Sequence, residues 1–186
     1  MQAIKIGIAG VGTVGGGVCA VLKRNAEDIA RRAGARIEVK RAVCRNVEAA
    51  RARLCPCVEG TGDWRDIAGD PEGQIAVEAM GGIEPARSYI LAAIEAGKHV
   101  VTANKALLAK CGNEIFAAAA AKGVNVAFEA AVAGGIPVIK ALREGLAANR
   151  VEWVAGIING TSNFILSSMR DKGISFDDAL AQAQAL

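Results

Sequence analysis

Short β-branched runs alternate along this chain with longer stretches in which apolar residues recur every three or four positions. Ile4-Lys5-Ile6-Gly7-Ile8-Ala9 reads as a buried strand running into glycines. From Thr13 to Arg32, Val14, Val18, Val21, Leu22 and Ile29 share one helical face. Arg36 to Val43 alternates as a second strand, Asn46 to Leu54 reads as a short helix, and residues 55–74 as loop with a helical turn. A third strand covers Ile75 to Ala79 and closes at Gly81-Gly82. Pro85 stands at a helix start and Gly97 at its end. His99 to Thr102 is a fourth strand, Lys105 to Lys122 a helix stopped by Gly123, and Val124 to Phe128 a fifth strand. This alternation predicts an α/β fold, a Rossmann-type doubly wound parallel sheet, over residues 1–134.

The texture changes beyond that point. Pro137 opens a helix carrying Ile139, Leu142 and Leu146, and Val151 to Ile158 reads as a sixth strand. Asn159-Gly160-Thr161 turns into a helix that Gly173 closes. Ser175-Phe176-Asp177-Asp178 has the form of a capping box for one more helix. Residues 135–186 therefore read as the start of a second, α+β domain that the chain does not finish.

Composition narrows the function classes. Lys and Arg number 22 against 19 Asp and Glu, and aromatics are 4%. This balance excludes nucleic acid as the main partner. No apolar run reaches about 18 residues, so no membrane span is expected. No signal peptide is visible, and a cytoplasmic location follows as the expectation. The five cysteines are odd in number, and the close pair Cys55-Pro56-Cys57 lacks zinc or thioredoxin spacing, so they read as reduced, incidental thiols.

Glycine, at 22 residues, is in surplus, and its placement points to chemistry. Gly10-Val11-Gly12-Thr13-Val14-Gly15 is a G-x-G-x-x-G between a strand and a helix. Gly10 allows the tight turn, Gly12 lets a pyrophosphate approach, and Gly15 lets helix and strand pack closely. No acidic residue ends the second strand to accept a ribose 2′-OH, whereas Arg45 can pair with a 2′-phosphate. NADP is therefore expected over NAD. In a doubly wound sheet, Gly81-Gly82, Thr102 to Lys105 and Glu129 to Gly135 converge with the glycine loop on one crevice. Lys105 can stabilise an oxygen that gains negative charge there. Thr102 and Asn104 either cap the helix or touch cofactor. Glu129 either ligates a hard cation with its glycine-rich turn or caps a helix. His99, the only histidine, reads as structural.

Five blocks together resemble homoserine dehydrogenase: Gly10 to Gly17, Glu78 to Ala86, Gly97 to Leu108 with its Thr-Ala-Asn-Lys-Ala core, Phe128 to Pro137, and Gly156-Ile157-Ile158-Asn159-Gly160-Thr161-Ser162-Asn163. The resemblance runs the length of the chain. It implies interconversion of L-homoserine and L-aspartate 4-semialdehyde with a nicotinamide cofactor, in the threonine, methionine and isoleucine branch of amino-acid biosynthesis. It implies cofactor contacts at Gly10, Gly12, Thr13, Val14, Gly15 and Lys105, to which the reading of the strand ends and the crevice adds Arg45, Gly81, Thr102, Ala103 and Asn104. Lys105 is then the catalytic lysine beside nicotinamide and substrate, and Gly160 and Thr161 lie in the substrate turn. Glu129, Val132, Gly134 and Ile136 match positions that hold sodium in some members, and a homo-oligomer is implied. The family's later segment, with a second lysine and the proposed proton donor, is not in this chain, so a fragment with weak or no activity is expected. The other reading is a non-catalytic NADP-binding module acting as a binding subunit.

Overall fold

The computed structural model describes residues 3–44 and 58–185. The helix expected over Asn46 to Leu54, Arg45, Cys55 and Cys57 lie outside the described residues. By internal contacts the chain divides into two compact units, Met1–Leu142 and Arg143–Leu186.

The first unit is built on a parallel sheet, six-stranded among the described residues. The strands are β1 (Ala3–Ala9), β2 (Arg36–Val43), β3 (Glu59–Thr61), β4 (Ile75–Glu78), β5 (His99–Thr102) and β6 (Val126–Ala127), in the order β3-β2-β1-β4-β5-β6. This is a doubly wound order whose direction of winding reverses between β1 and β4, where such sheets open a crevice at their carboxyl edge. The register pairs Ile6 with Val39 and Ile75, and Glu78 with Ala9 and Thr102.

Period-two alternation sorts the side chains to two faces. Ile4, Ile6 and Ile8 of β1 pack with Val77 of β4 against Cys19, Val18 and Leu22 of helix α1 (Thr13–Arg24). Ala9, Ala76 and Val100 face the larger core under helices α4 (Ala86–Glu95) and α5 (Lys105–Lys122), where Tyr89, Ile90, Ile94, Leu107 and Ile115 are buried. Gly7 belongs to this second face. A Cβ on it would lie 2.3 Å from Ile67 Cγ2, on the helical turn α3 (Arg65–Ala68).

Several expectations are corrected. The helix expected from Thr13 to Arg32 is two, α1 and α2 (Ala26–Ala33), broken at Asn25 (φ −109°, ψ 24°), a poor helix former. Its buried face is Gly15, Val18, Cys19 and Leu22, while Val14 and Val21 are 52% and 43% exposed. Close packing of Gly15 on the glycine turn rotates the helix away from the stripe that hydrophobicity alone suggested. β3 lies where a loop was expected. Its polar residues carry no hydrophobic signal, and pairing with Arg41–Val43 of β2 makes it a strand. β6 is two residues long because only Val126 and Ala127 pair with β5. The helix expected after Pro137 is one turn, α6 (Val138–Lys140), widening into Ala141–Gly145, with no buried residue.

In the second unit, helices α7 (Gly160–Lys172) and α8 (Phe176–Ala185) pack on each other, and Ile165, Ser168 and Ala179 are buried. Val151 to Ile158 is not a strand. It is exposed throughout, Trp153 at 77% and Ile158 at 90%, and pairs with no strand among the described residues. β-propensity alone does not make a strand without a neighbouring ladder. No described helix is long and apolar enough to cross a membrane.

The amino edge of the sheet is tied by charge. Asp70, 5% exposed, accepts from Lys40 at 2.9 Å and from the Glu72 N–H at 2.9 Å, with Arg41 at 3.4 Å. Lys98 Nζ, also buried, donates to the carbonyls of Asp70 and of Gly73, the latter at 2.7 Å. Burial pushes the Asp70 carboxyl up, but the hydrogen bonds from Lys40 and Glu72 N–H and the nearby cations outweigh it and hold it below the usual range. Hydrogen bonds from Lys40 and Lys5 take Glu72 down to about 2. Both carboxylates have lower folded than unfolded pKa values. Their stabilisation is therefore present above about pH 4, the unfolded carboxylate range, and is lost as pH falls through the folded values. Thermal melting between pH 7 and pH 2 is expected to show this loss. Asp70→Asn should lower the melting temperature at pH 7 and flatten the fall below pH 5, whereas an unchanged acid slope would assign it to other carboxylates.

Candidate dinucleotide cleft

The chain leaves β1 at Gly10, whose φ of +99° suits glycine, and its N–H donates to Val43 O at 2.9 Å. A Cβ on Gly10 would stand 2.5 Å from Ala79 O, and one on Gly15 would stand 1.8 Å from Gly10 O. Both glycines are therefore required by the protein's own packing. Gly12 is different, because a Cβ there would meet nothing within 4 Å. It is also the N-cap of α1 and offers no side-chain cap to the helix start. An uncapped helix N-terminus beside a side-chain-free surface is suited to phosphate.

The turn opens on a cleft of about 470 Å³ lined by Gly10, Gly12, Val43, Cys44, Met80 and Gly81, among others. Burial raises the Cys44 thiol, which disfavours the reactive thiolate. The cleft thus brings together the glycine loop and Gly81, as expected. Thr13 and Val14 sit in the exposed first turn of α1.

The carboxyl end of β5 is held by a network of its own. Thr102 and Asn104 are buried, and their side chains bind protein groups. Thr102 Oγ1 donates to Glu78 Oε2 at 2.6 Å and accepts the Asn104 N–H at 3.0 Å. Asn104 Oδ1 accepts from Leu107 N at 3.1 Å as the N-cap of α5, and Nδ2 donates to Gly82 O at 2.6 Å. Of the two readings open for Asn104, the helix cap is the observed one. The Ala103 N–H donates to Glu78 O at 3.2 Å. Lys105 is exposed at the first position of α5, at the same edge of the sheet as the cleft.

Glu78 itself escaped the pattern reading. It is fully buried, and Oε1 accepts from Met80 N at 2.8 Å and Gly81 N at 3.1 Å. The available signal was an acidic residue closing an otherwise apolar strand, Ile75-Ala76-Val77-Glu78.

Glu129 is a helix cap. Its Oε1 accepts from Ile139 N and its Oε2 from Lys140 N, both at 2.9 Å. Ile136 O accepts from Val138 N at 2.8 Å. Backbone at Ala133 (φ 56°) and Gly134 (φ 61°) is left-handed, which shapes the turn holding Val132 and Gly134. With the Glu129 carboxylate and the Ile136 carbonyl already bonded within the protein, two of the four expected positions are engaged and this turn does not fit a ready-made cation shell. Among the described residues no cluster of three or more His, Cys, Asp or Glu could hold a metal. His99 Nδ1 accepts from Asn125 N at 3.0 Å, a structural role as expected. In the second unit, Gly160 and Thr161 are exposed in the first turn of α7, capped by Asn159 Oδ1 on Ser162 N at 2.8 Å.

Comparison with known proteins follows the same division of the chain. Residues 10–129 match the family model described as homoserine dehydrogenase, NAD binding domain, and residues 137–186 match the homoserine dehydrogenase model. A homoserine dehydrogenase of Pseudomonas aeruginosa is 61% identical across all of this chain, which covers 42% of that protein. The crystal structure of a homoserine dehydrogenase from Thiobacillus denitrificans superposes with a TM-score of 0.91 at 63% identity, over all of this chain and 43% of that one. A hyperthermophilic archaeal homoserine dehydrogenase in complex with NADPH shares the fold, with a TM-score of 0.81 at 23% identity, over 99% of this chain and 61% of that one. The chain thus spans less than half the length of the bacterial relatives. On its matched sequence and its nucleotide-binding architecture, this chain belongs to the homoserine dehydrogenase family.

Proposed function

We propose that this chain carries the NADP(H)-binding part of an enzyme that interconverts L-homoserine and L-aspartate 4-semialdehyde. The observation that carries the reading is Gly12. The protein's own packing explains Gly10 and Gly15, but Gly12 faces open space at an uncapped helix start, and a pyrophosphate gives that missing side chain a purpose. When bound, the nicotinamide supplies or accepts the hydride. The backbone N–H groups at the start of α1 hold the phosphates. Gly81 leaves the wall of the cleft open, and the Lys105 ammonium stabilises the substrate oxygen as it gains negative charge. Gly160 and Thr161 contribute to the substrate side.

The finer expectations belong to the same reading. NADP is preferred because no acidic residue follows β2, where Arg45 stands instead, and an archaeal neighbour of the same fold binds NADPH. A sodium ion at Glu129, Val132, Gly134 and Ile136 is the weakest of them, since Glu129 already caps α6, and no step is routed through it. The complete enzyme is taken to be a cytoplasmic homo-oligomer in threonine, methionine and isoleucine biosynthesis.

Titration of this chain with NADPH tests the cleft. Gly12→Ala is expected to weaken binding at least about tenfold, in line with loss of more than one charge-assisted hydrogen bond, with little change in melting temperature. Gly15→Ala should fail to fold or melt far lower. A Gly12→Ala chain that binds like the wild type would remove the main support for the reading.

Arg45→Ala should weaken NADPH selectively and leave NADH affinity nearly unchanged. Equal losses, or none, would assign Arg45 to the solvated surface.

Homoserine oxidation by this chain should be slower than that of the full-length Pseudomonas aeruginosa relative by at least about 100-fold, the usual contribution of a positioned proton donor. Matching rates would overturn the view that residues outside this span complete the site.

A further inference from the structure

Glu78 ends β4 on the cleft side of the sheet, beside the point where the winding reverses between β1 and β4. Met80 N–H and Gly81 N–H donate to one of its oxygens, and the Thr102 hydroxyl donates to the other. Thr102 Oγ1 also accepts the Asn104 N–H, while its own proton goes to the carboxylate. Three donors converge on Glu78 and it donates to none, which is the bonding pattern of an ionised carboxylate. Among the described residues no Lys, Arg or His pairs with it.

A buried charge is costly unless a partner compensates it. An aliphatic residue would close this strand at lower cost. Two consequences of the carboxylate stand out. The first is mechanical. Glu78 grips Met80 and Gly81, two residues of the cleft wall, while Thr102 and Asn104 grip Gly82 and the first turn of α5, where Lys105 stands. One carboxylate thereby fixes the loop after β4 against the loop after β5. The second is electrostatic. The hydrogen bonds hold the charge in place without neutralising it, and its field extends to Tyr89, whose phenol is pushed up by burial and then by Glu78. Met80 and Gly81, whose N–H groups the carboxylate accepts, line the cleft, so the carboxylate lies directly behind its wall.

We propose that Glu78 is a positioning residue of the cleft: its carboxylate holds the Met80–Gly82 loop against the start of α5, and its charge, which no described cation pairs, makes the cleft favour the oxidised, cationic nicotinamide dinucleotide over the reduced one. This rests on the cofactor reading given above. The two dinucleotides carry the same phosphates and differ by one positive charge on the ring. The ratio of their affinities therefore reports on a charge at the cleft wall and is insensitive to general loosening.

The test is titration of this chain with NADP⁺ and with NADPH in four forms: wild type, E78Q, T102V and T102S. E78Q should lower the NADP⁺-to-NADPH affinity ratio by about three- to tenfold, the range for a charge pair under partial screening. T102V keeps the charge but removes its hydroxyl partner, so it should weaken both dinucleotides together by about fivefold, the worth of one hydrogen bond. T102S should restore both. An unchanged ratio in E78Q, or wild-type affinities in T102V, would overturn the proposal. Should E78Q not fold, the T102V and T102S pair decides the positioning role alone. Failure of the wild-type chain to bind either dinucleotide is a different result, which overturns the cleft reading and this proposal with it.

Discussion

The first unit depends on a close approach of backbone to backbone at the end of β1. Gly10 passes so near Ala79 that a side chain would collide with the peptide of the neighbouring strand, and Gly15 brings α1 onto the carbonyl of Gly10. Interiors packed at this density leave no room for even one added methyl group without a shift of the surrounding structure. This contact sets the pitch of α1 on the sheet and hence which of its residues are buried. It also places the uncapped end of α1 over the crevice between β1 and β4.

The two edges of the sheet handle buried polarity in opposite ways. At the amino edge, Asp70 is met by Lys40 and Arg41, and the buried Lys98 ammonium finds two carbonyls. Each buried charge there has an opposite charge or carbonyl oxygens against it, and the arrangement ties the later half of β2 to the starts of β4 and β5. At the carboxyl edge, Glu78 has hydrogen bonds but no cation partner among the described residues, so they hold the charge without pairing it. Compensated polarity serves the fold. Uncompensated polarity beside a cleft is where recognition of a charged ligand is expected.

Legibility from sequence followed the source of each element's stability. β2, β5 and α5 were read to their observed limits because each carries its own signal: alternation in Arg36–Val43, a β-branched run at His99–Thr102, and an Asn cap and a Gly stop around Lys105–Lys122. The Ser175 cap on Asp178 was equally local and equally readable. The misreadings share a different cause. Glu59–Thr61 became a strand through its neighbour, while Val151 to Ile158 has strand composition and no ladder among the described residues. Thr102 and Asn104 stayed open between cap and cofactor contact for a related reason: the partners that hold them, Glu78 and Gly82, lie more than 20 positions away in the chain.

The sequence by itself determined the strand–helix alternation, the glycine turn and the family, because these rest on local periodicity, on backbone freedom at single glycines and on contiguous motifs. Tertiary structure alone decided which glycines pack against protein and which faces open space. It alone showed Glu129, open in sequence between ligand and cap, capping a helix, and it alone exposed Glu78 as the anion that joins two loops. The physical reason is common to all three. Whether a polar group or a missing side chain serves the protein or a ligand depends on what stands within a few ångströms of it, and those neighbours come from other strands of the sheet.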